Sequence, residues 1–180
     1  MERNCNKQKV NIQYHNTPYG ELVLASVDEK LCLCDWNGKP CAEKNRHRLV
    51  RLLGAEFAEE PSKVIRHTEA QLDEYFAGKR KTFDIPLQTV GTDFQKRVWD
   101  ALQKIPSGET RTYKDIATWV DNTKGIRAVA QAIGSNGISI IIPCHRVIGS
   151  DCSLTGFAGG LEAKRMLLEL ECCPVNIPPI

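Results

Sequence analysis

Between Ile138 and Gly149 the chain reads Ile-Ser-Ile-Ile-Ile-Pro-Cys-His-Arg-Val-Ile-Gly, and no other stretch narrows the choice of fold as much. Ile138, Ile140, Ile141 and Ile142 make a β-branched apolar run, which predicts a buried strand and a layered core to receive it. Pro143 predicts the end of that strand, because a prolyl nitrogen cannot donate to a ladder. Directly beyond it stand Cys144, His145 and Arg146: a soft nucleophile, a base that titrates near neutrality and a fixed cation. A core strand that delivers reactive groups at its exit places a site on a rigid support. Neighbouring positive charge favours thiolate over thiol, so Cys144 is the candidate nucleophile among the eight cysteines. The plainer alternative is an inert buried cysteine beside a surface histidine and a solvated or ion-paired arginine.

The length, 180 residues, suits one domain or two small ones sharing an interface. Net charge is only +2, with 14 cations and 13 acids before residue 90 and ten and nine after it. Neither half is therefore a basic block that would bind nucleic acid through bulk charge. The local pattern differs: no Asp or Glu occurs in the 29 residues from Asn122 to Ser150, which include Lys124, Arg127, His145 and Arg146. Such a segment could face phosphates without repulsion, although a buried segment poor in all charges would look similar. No apolar run approaches the roughly 18 residues of a membrane span. Met1 to Lys7 show no apolar signal region, which predicts a cytoplasmic protein with reduced cysteines. The cysteines form no paired Cys-x-x-Cys set, and Cys32-x-Cys34 fits a strand, so no metal site is expected.

Residues 10 to 36 alternate as a strand meander: Val10–Tyr14, Glu21–Val27 and Leu31–Trp36, separated by turn-rich Pro18-Tyr19-Gly20 and Asp28-Glu29-Lys30. Periodicity through Leu49, Leu52, Leu53 and Phe57 predicts a helix over 46–57. A second helix is expected from Thr68, with Gln71 completing a capping box, to Gly78. Phe83 to Pro86 reads as a short edge strand or linker. This half offers no convergent chemical group and is read as scaffold. Beyond it, Thr92 and Gln95 form a capping box for a helix through Phe94, Val98, Leu102 and Ile105. Thr112 can cap a helix running to Val120; Asp121-Asn122-Thr123 makes a turn, and Lys124 to Gly134 the next helix. The pair suggests a helix-turn-helix. Ile126, Val129, Ala130 and Ile133 would be the buried stripe of its second helix. Arg127, Ala128 and Gln131 then face outward, small enough for close approach to a groove.

Pro143-Cys144-His145-Arg146-Val147, with Gly134-Ser135-Asn136 before it and Thr155-Gly156-Phe157-Ala158-Gly159-Gly160-Leu161, Lys164 and Glu171 after it, resembles the methylated-DNA–protein-cysteine methyltransferases, the O6-alkylguanine-DNA alkyltransferases. The similarity is dense from about Thr92 to Glu171 and looser from about Asn11 to Pro86. The resemblance implies an α/β chain of two subdomains. Residues 1–88 would form a ribonuclease-H-like scaffold with a small antiparallel sheet, and residues 89–173 a mostly helical, winged-helix-like domain for DNA binding and alkyl acceptance. Residues 174–180 would be a tail.

It implies, too, that Cys144 takes the alkyl group of O6-alkylguanine, with O4-alkylthymine as a second candidate lesion, irreversibly and once per molecule. His145 would accept the thiol proton through a water, Glu171 would orient the imidazole, and Asn136 would brace the turn. Tyr113 would help rotate the nucleotide out of the duplex, Arg127 would fill the gap, and Lys114, Asn122 and Ser150 would contact DNA. Val147, Phe157 and Ala158 would line the base pocket. The implied partner is double-stranded DNA, the protein acts as a monomer, and no cofactor or metal takes part; the structural zinc of some relatives has no recognisable ligand pattern here. Two residues depart from the family pattern. Phe157 stands where many members have tyrosine, and Gly137 replaces a frequent proline. The residues themselves leave two other readings open. One is a damage-recognition module without transfer. The other is a thiol hydrolase using Cys144, His145 and Glu171, against which the adjacency of Cys and His argues.

Overall fold

A computed structural model describes residues 7–173; the N-terminal start with Cys5 and the expected tail at 174–180 lie outside the described residues. The expected meander is present as β1 (Lys9–Thr17), β2 (Gly20–Val27) and β3 (Lys30–Trp36), antiparallel in succession. Asp28 and Glu29, at φ 47° and 56°, make a two-residue turn whose twist matches the flanking strands. A fourth strand, β4 (Glu56–Ala58), runs parallel to β1 and gives the order β3-β2-β1-β4.

Two helices of this half begin earlier than periodicity predicts. Helix α1 (Pro40–Leu53) starts at a proline preset for a first turn and ends at Gly54, whose φ of 62° releases Phe57 into β4. Helix α2 (Lys63–Phe76) is capped by Ser62, which accepts from the Ile65 amide at 3.4 Å. Thr68 lies inside α2 and donates to the Val64 carbonyl at 2.7 Å, while the Gln71 carbonyl accepts from the Asp84 amide at 3.1 Å. A hydroxyl or amide can serve a cap or a neighbouring loop equally well, and the local pattern does not distinguish them.

In the second half the capping box of Thr92 with Gln95 forms as expected, and Thr112, expected as a cap, forms a second box with Asp115. They start α3 (Asp93–Leu102) and α4 (Tyr113–Trp119); α5 (Ile126–Gly134) and α6 (Leu161–Leu170) follow, and β5 (Arg111–Thr112) pairs parallel with β6 (Val147–Ile148). Helix α5 packs against α3 and α4 through Val129, Ala132 and Ile133, so the buried stripe is rotated and Ile126 is exposed.

Strand β2 is covered on both faces. Leu22 and Leu24 join a core that continues through Trp36, Val98, Trp99, Ile133 and Ile138, whereas Val23, Ala25 and Val27 join a second cluster under α1. The halves thus share one core. Among the described residues no helix is long and apolar enough to cross a membrane.

The predicted strand over Ile138–Ile142 does not form. Only Ile138 pairs, in an isolated parallel bridge with Cys34. The Cys34 amide donates to the Gly137 carbonyl at 2.8 Å, and the Ser139 amide donates to the Cys34 carbonyl at 2.6 Å. The chain then turns tightly, the Ile141 amide donating to Ser139 and the Ile142 amide to Ile138, both at 2.9 Å, with Ile140 at φ 72°. All four isoleucines are buried, and burial on every side produces an apolar run whether or not a ladder exists. Nor do residues 83–86 form a strand; the Leu31 amide donates to Pro86 and the Gln88 amide to Leu31, each at 2.8 Å. The outer edge of β3 is therefore paired by two irregular segments.

Candidate active site

Asn136 organises the turn. Its Oδ1 accepts from the Ile138 amide at 2.9 Å, and its Nδ2 donates to the Ile142 carbonyl at 3.0 Å and to Cys144 Sγ at 3.2 Å. One side chain thereby satisfies the backbone of a segment without a ladder and touches the candidate nucleophile. Cys144 opens a single 3-10 turn, Cys144–Arg146, in which all three residues are buried. The amide of Asn136 lowers the Cys144 pKa, as does the Lys164 ammonium, while Asp35 raises it; burial outweighs them all and pushes the thiol up to about 11.

This reverses the expectation drawn from the adjacent charges. Arg146 does not serve the thiol. Its Nε donates to Glu171 Oε2 at 2.8 Å, its second terminal nitrogen to Oε1 at 2.9 Å, and its first to the Ile105 carbonyl. Chain proximity fixed the order of these side chains, and the 3-10 turn sent the guanidinium to the opposite side.

His145 is wholly buried, with Nε2 at 3.0 Å from Glu171 Oε1 and Nδ1 without a hydrogen-bond partner among the described residues. Burial lowers the imidazole pKa, against the pull of Glu171, so the neutral ring is favoured. Burial alone would raise the Glu171 carboxyl. The hydrogen bonds and charges of His145 and Arg146 outweigh it and hold the group well below the usual carboxylate range. Neutral imidazole beside a thiol of raised pKa is an acid–base pair in waiting: deprotonation must accompany the reaction.

The other predicted residues fall into two groups. Phe157 and Ala158 lie on the loop after β6, and Phe157 stands edge-on to His145 and to Trp36, with ring centres 6.4 and 6.3 Å apart. Tyr113, half-buried at the start of α4, approaches this loop through its hydroxyl, 3.2 Å from Thr155 Oγ1. The Val147 side chain is fully buried, and its carbonyl accepts from Lys164 Nζ at 2.6 Å. Lys114, Arg127 and Ser150 are exposed. Asn122 fills the turn between α4 and α5 so closely that a Cβ on Gly125 would stand 2.5 Å from its Oδ1.

Residues to which the sequence reading gave no role also converge here. Lys164 is buried on two carbonyls, Val147 and Thr155, and burial brings its pKa down to about 8. The N-terminal half is not chemically blank. Buried Asp35 accepts from Asn45 at 2.7 Å, Asn45 reaches the Asn136 carbonyl at 3.3 Å, and Arg48 donates to the Ser135 carbonyl at 2.8 Å. Tyr75 Oη donates to Glu171 Oε1 at 2.7 Å. These are contacts across the seam between the halves, and no local pattern announces them.

Residues 12–89 match the family model for the 6-O-methylguanine DNA methyltransferase ribonuclease-like domain, and residues 93–173 that for its DNA-binding domain. A methylated-DNA–protein-cysteine methyltransferase of Methanosarcina barkeri is 46% identical over 155 residues, spanning 86% of this chain and 92% of the relative. The constitutive Bacillus subtilis protein of that name is 42% identical over 162 residues, spanning 86% and 91%. The crystal structure of Mycobacterium tuberculosis OGT in complex with DNA superposes with a TM-score of 0.75 at 38% identity, covering 91% of this chain and 92% of that one. The chain belongs to the methylated-DNA–protein-cysteine methyltransferase family.

Proposed function

We propose that this protein repairs DNA by moving the alkyl group of O6-alkylguanine, and of O4-alkylthymine as a second lesion, onto Cys144, and that each molecule does so once. The observation that carries the reading is the alignment of Asn136, Cys144, His145 and Glu171 on one turn and its closing helix, in a chain of this family. A base in a duplex lies out of reach of a buried thiol, so the nucleotide must be rotated out. The exposed face of α5, with Arg127 at its start, suits the minor groove. Arg127 would hold the vacated position in the stack, and Lys114, Asn122 and Ser150 would contact the strand. DNA bound to the Mycobacterium tuberculosis protein supports this partner.

His145 accepts the Cys144 proton through a bridging water, and Glu171 holds the imidazole in the orientation that leaves Nδ1 free for that water. Asn136 Nδ2 stabilises the developing charge on sulfur. The sulfur attacks the alkyl carbon in line; the S–C bond forms as the C–O6 bond breaks, and its electron pair returns to guanine. Tyr113 assists protonation of the departing base, so the proton lost by the thiol is matched by the one guanine gains. Val147, Phe157 and Ala158 surround the base. The displacement itself requires no metal or organic cofactor. An S-alkyl cysteine is a thioether, with no carbonyl for water to attack, which makes the transfer irreversible. A monomer in the reducing cytoplasm suits a nucleophile that must stay a free thiol.

Incubation with a duplex carrying one O6-methylguanine, followed by peptide mass spectrometry, tests the reading. One added methyl group on the Cys144 peptide, restored guanine and no second turnover are expected. Tight binding with unmodified Cys144 would leave a damage-recognition module, and repeated turnover on an ester would favour a hydrolase. A duplex with O4-methylthymine, run in parallel, decides the second lesion.

A further inference from the structure

Glu171 Oε1 is crowded. It accepts from Tyr75 Oη at 2.7 Å, from the Arg146 guanidinium at 2.9 Å and meets His145 Nε2 at 3.0 Å, while Oε2 takes Arg146 Nε at 2.8 Å. A carboxylate oxygen has two lone pairs, so three donors compete for its charge. Tyr75 is the shortest of the three contacts and the one that comes from the N-terminal half, from the last turn of α2. Its ring packs against Phe76 and Phe83, with centres 5.4 Å away in each case, and it is almost fully buried.

We infer that Tyr75 is a positioning residue of the proton relay: its hydroxyl fixes the Glu171 carboxylate and draws charge from the oxygen that faces His145. The inference rests on the function proposed above. The other charged or titratable groups that act on this cluster are Arg146 on the same turn as His145, Lys164 from α6 and Cys173 beyond α6. The Tyr75 phenol is pushed upward by burial and by Glu171, so it remains a donor at every working pH. A carboxylate freed of one donor holds an imidazolium more strongly. Without the hydroxyl, His145 therefore stays protonated to a higher pH and is lost as a base sooner on acidification.

The test compares wild type, Tyr75→Phe and Phe76→Leu in single-turnover methyl transfer across pH 5 to 9, alongside NMR titration of the His145 ring nitrogens. Tyr75→Phe is expected to move the acid limb, and the ring titration with it, upward by about half to one unit, a threefold to tenfold loss of rate on that limb. Above pH 8 its rate should remain near wild type. Phe76→Leu disturbs the same aromatic cluster but keeps the hydroxyl, and should lower stability without moving the limb. An unmoved limb and ring titration in Tyr75→Phe, or the same shift in Phe76→Leu, would overturn the inference. Absence of transfer by wild type would instead sink the proposed function, and the ring titration would still decide the role of Tyr75.

Discussion

A single amide side chain, that of Asn136, closes a turn that would otherwise leave buried backbone groups unpaired and at the same time touches the Cys144 sulfur. Replacing it with alanine removes both functions. Burial pushes the thiol up to about 11 and so disfavours thiolate at pH 7, and loss of the Asn136 donor to sulfur acts directly on the barrier. Asn136→Ala is expected to slow methyl transfer about a hundredfold, the cost seen when a donor to a developing anion is removed. Rapid-quench measurement of guanine restoration reads it, and a rate within twofold of wild type would mean that Asn136 serves the backbone alone. At this scale the sequence was informative about identity and misleading about environment. Cys144 stood out because a proline broke the apolar run before it. The same adjacency suggested that Arg146 would ionise it, and that failed because a 3-10 turn points successive side chains in different directions.

Among the elements, those fixed by their own first turns were the most legible. Thr92 with Gln95 and Thr112 with Asp115 start helices where their sequences say they should, because a capping box is satisfied within four residues and needs no partner elsewhere. The starts of α1 and α2 have local signals as well, Pro40 and the Ser62 cap, but these lie ahead of the apolar periodicity that placed the helices; the run at Ile138–Ile142 was not legible, since burial on every side gives an apolar run with or without a ladder. Helix α5 combines both kinds of information: its turn was readable, its buried stripe only in part, with Val129 and Ile133 buried but Ile126 exposed. Its outer face and approaches carry Lys114, Lys124 and Arg127, and no acid occurs from Asn122 to the end of the helix. About three neutralised phosphates would give a slope near −3 in a plot of log affinity against log salt. Fluorescence anisotropy with undamaged duplex measures it; Arg127→Ala should bring the slope nearer −2, and an unchanged slope would remove Arg127 from the interface.

For the whole molecule the notable fact is that both halves grip one carboxylate. Glu171 closes α6, yet it is held by Tyr75 from α2 as well as by His145 and Arg146. Its pKa is depressed in the folded state, so the unfolded chain binds more protons as pH falls below the ordinary carboxylate value of 4.5. The stability this group contributes is present above that value and is lost progressively below it. Glu171→Gln should therefore be less stable than wild type at pH 7, and its stability should fall less steeply between pH 4.5 and 2. Urea denaturation at a series of pH values tests this, and parallel curves would contradict it. The two-subdomain architecture was implied by the family resemblance, while the residues alone read as a strand meander followed by capped helices, in one domain or two. The shared core and the seam of Asp35, Asn45, Arg48 and Tyr75 were not, because contacts between residues ninety apart leave no periodic trace.

The outer edge of β3 has one more consequence, in time instead of space. Leu31 and Cys34 find their backbone partners in residues 86–88 and 137–139, so on a ribosome the sheet waits with an unpaired edge while about a hundred more residues are made. At about 5–20 residues per second that interval is about 5–20 seconds. Only when Ile138 docks does the edge close, and the same docking sets the turn that presents Cys144. The turn that carries Cys144 is thus set only after residues 137–139 have emerged and closed that edge.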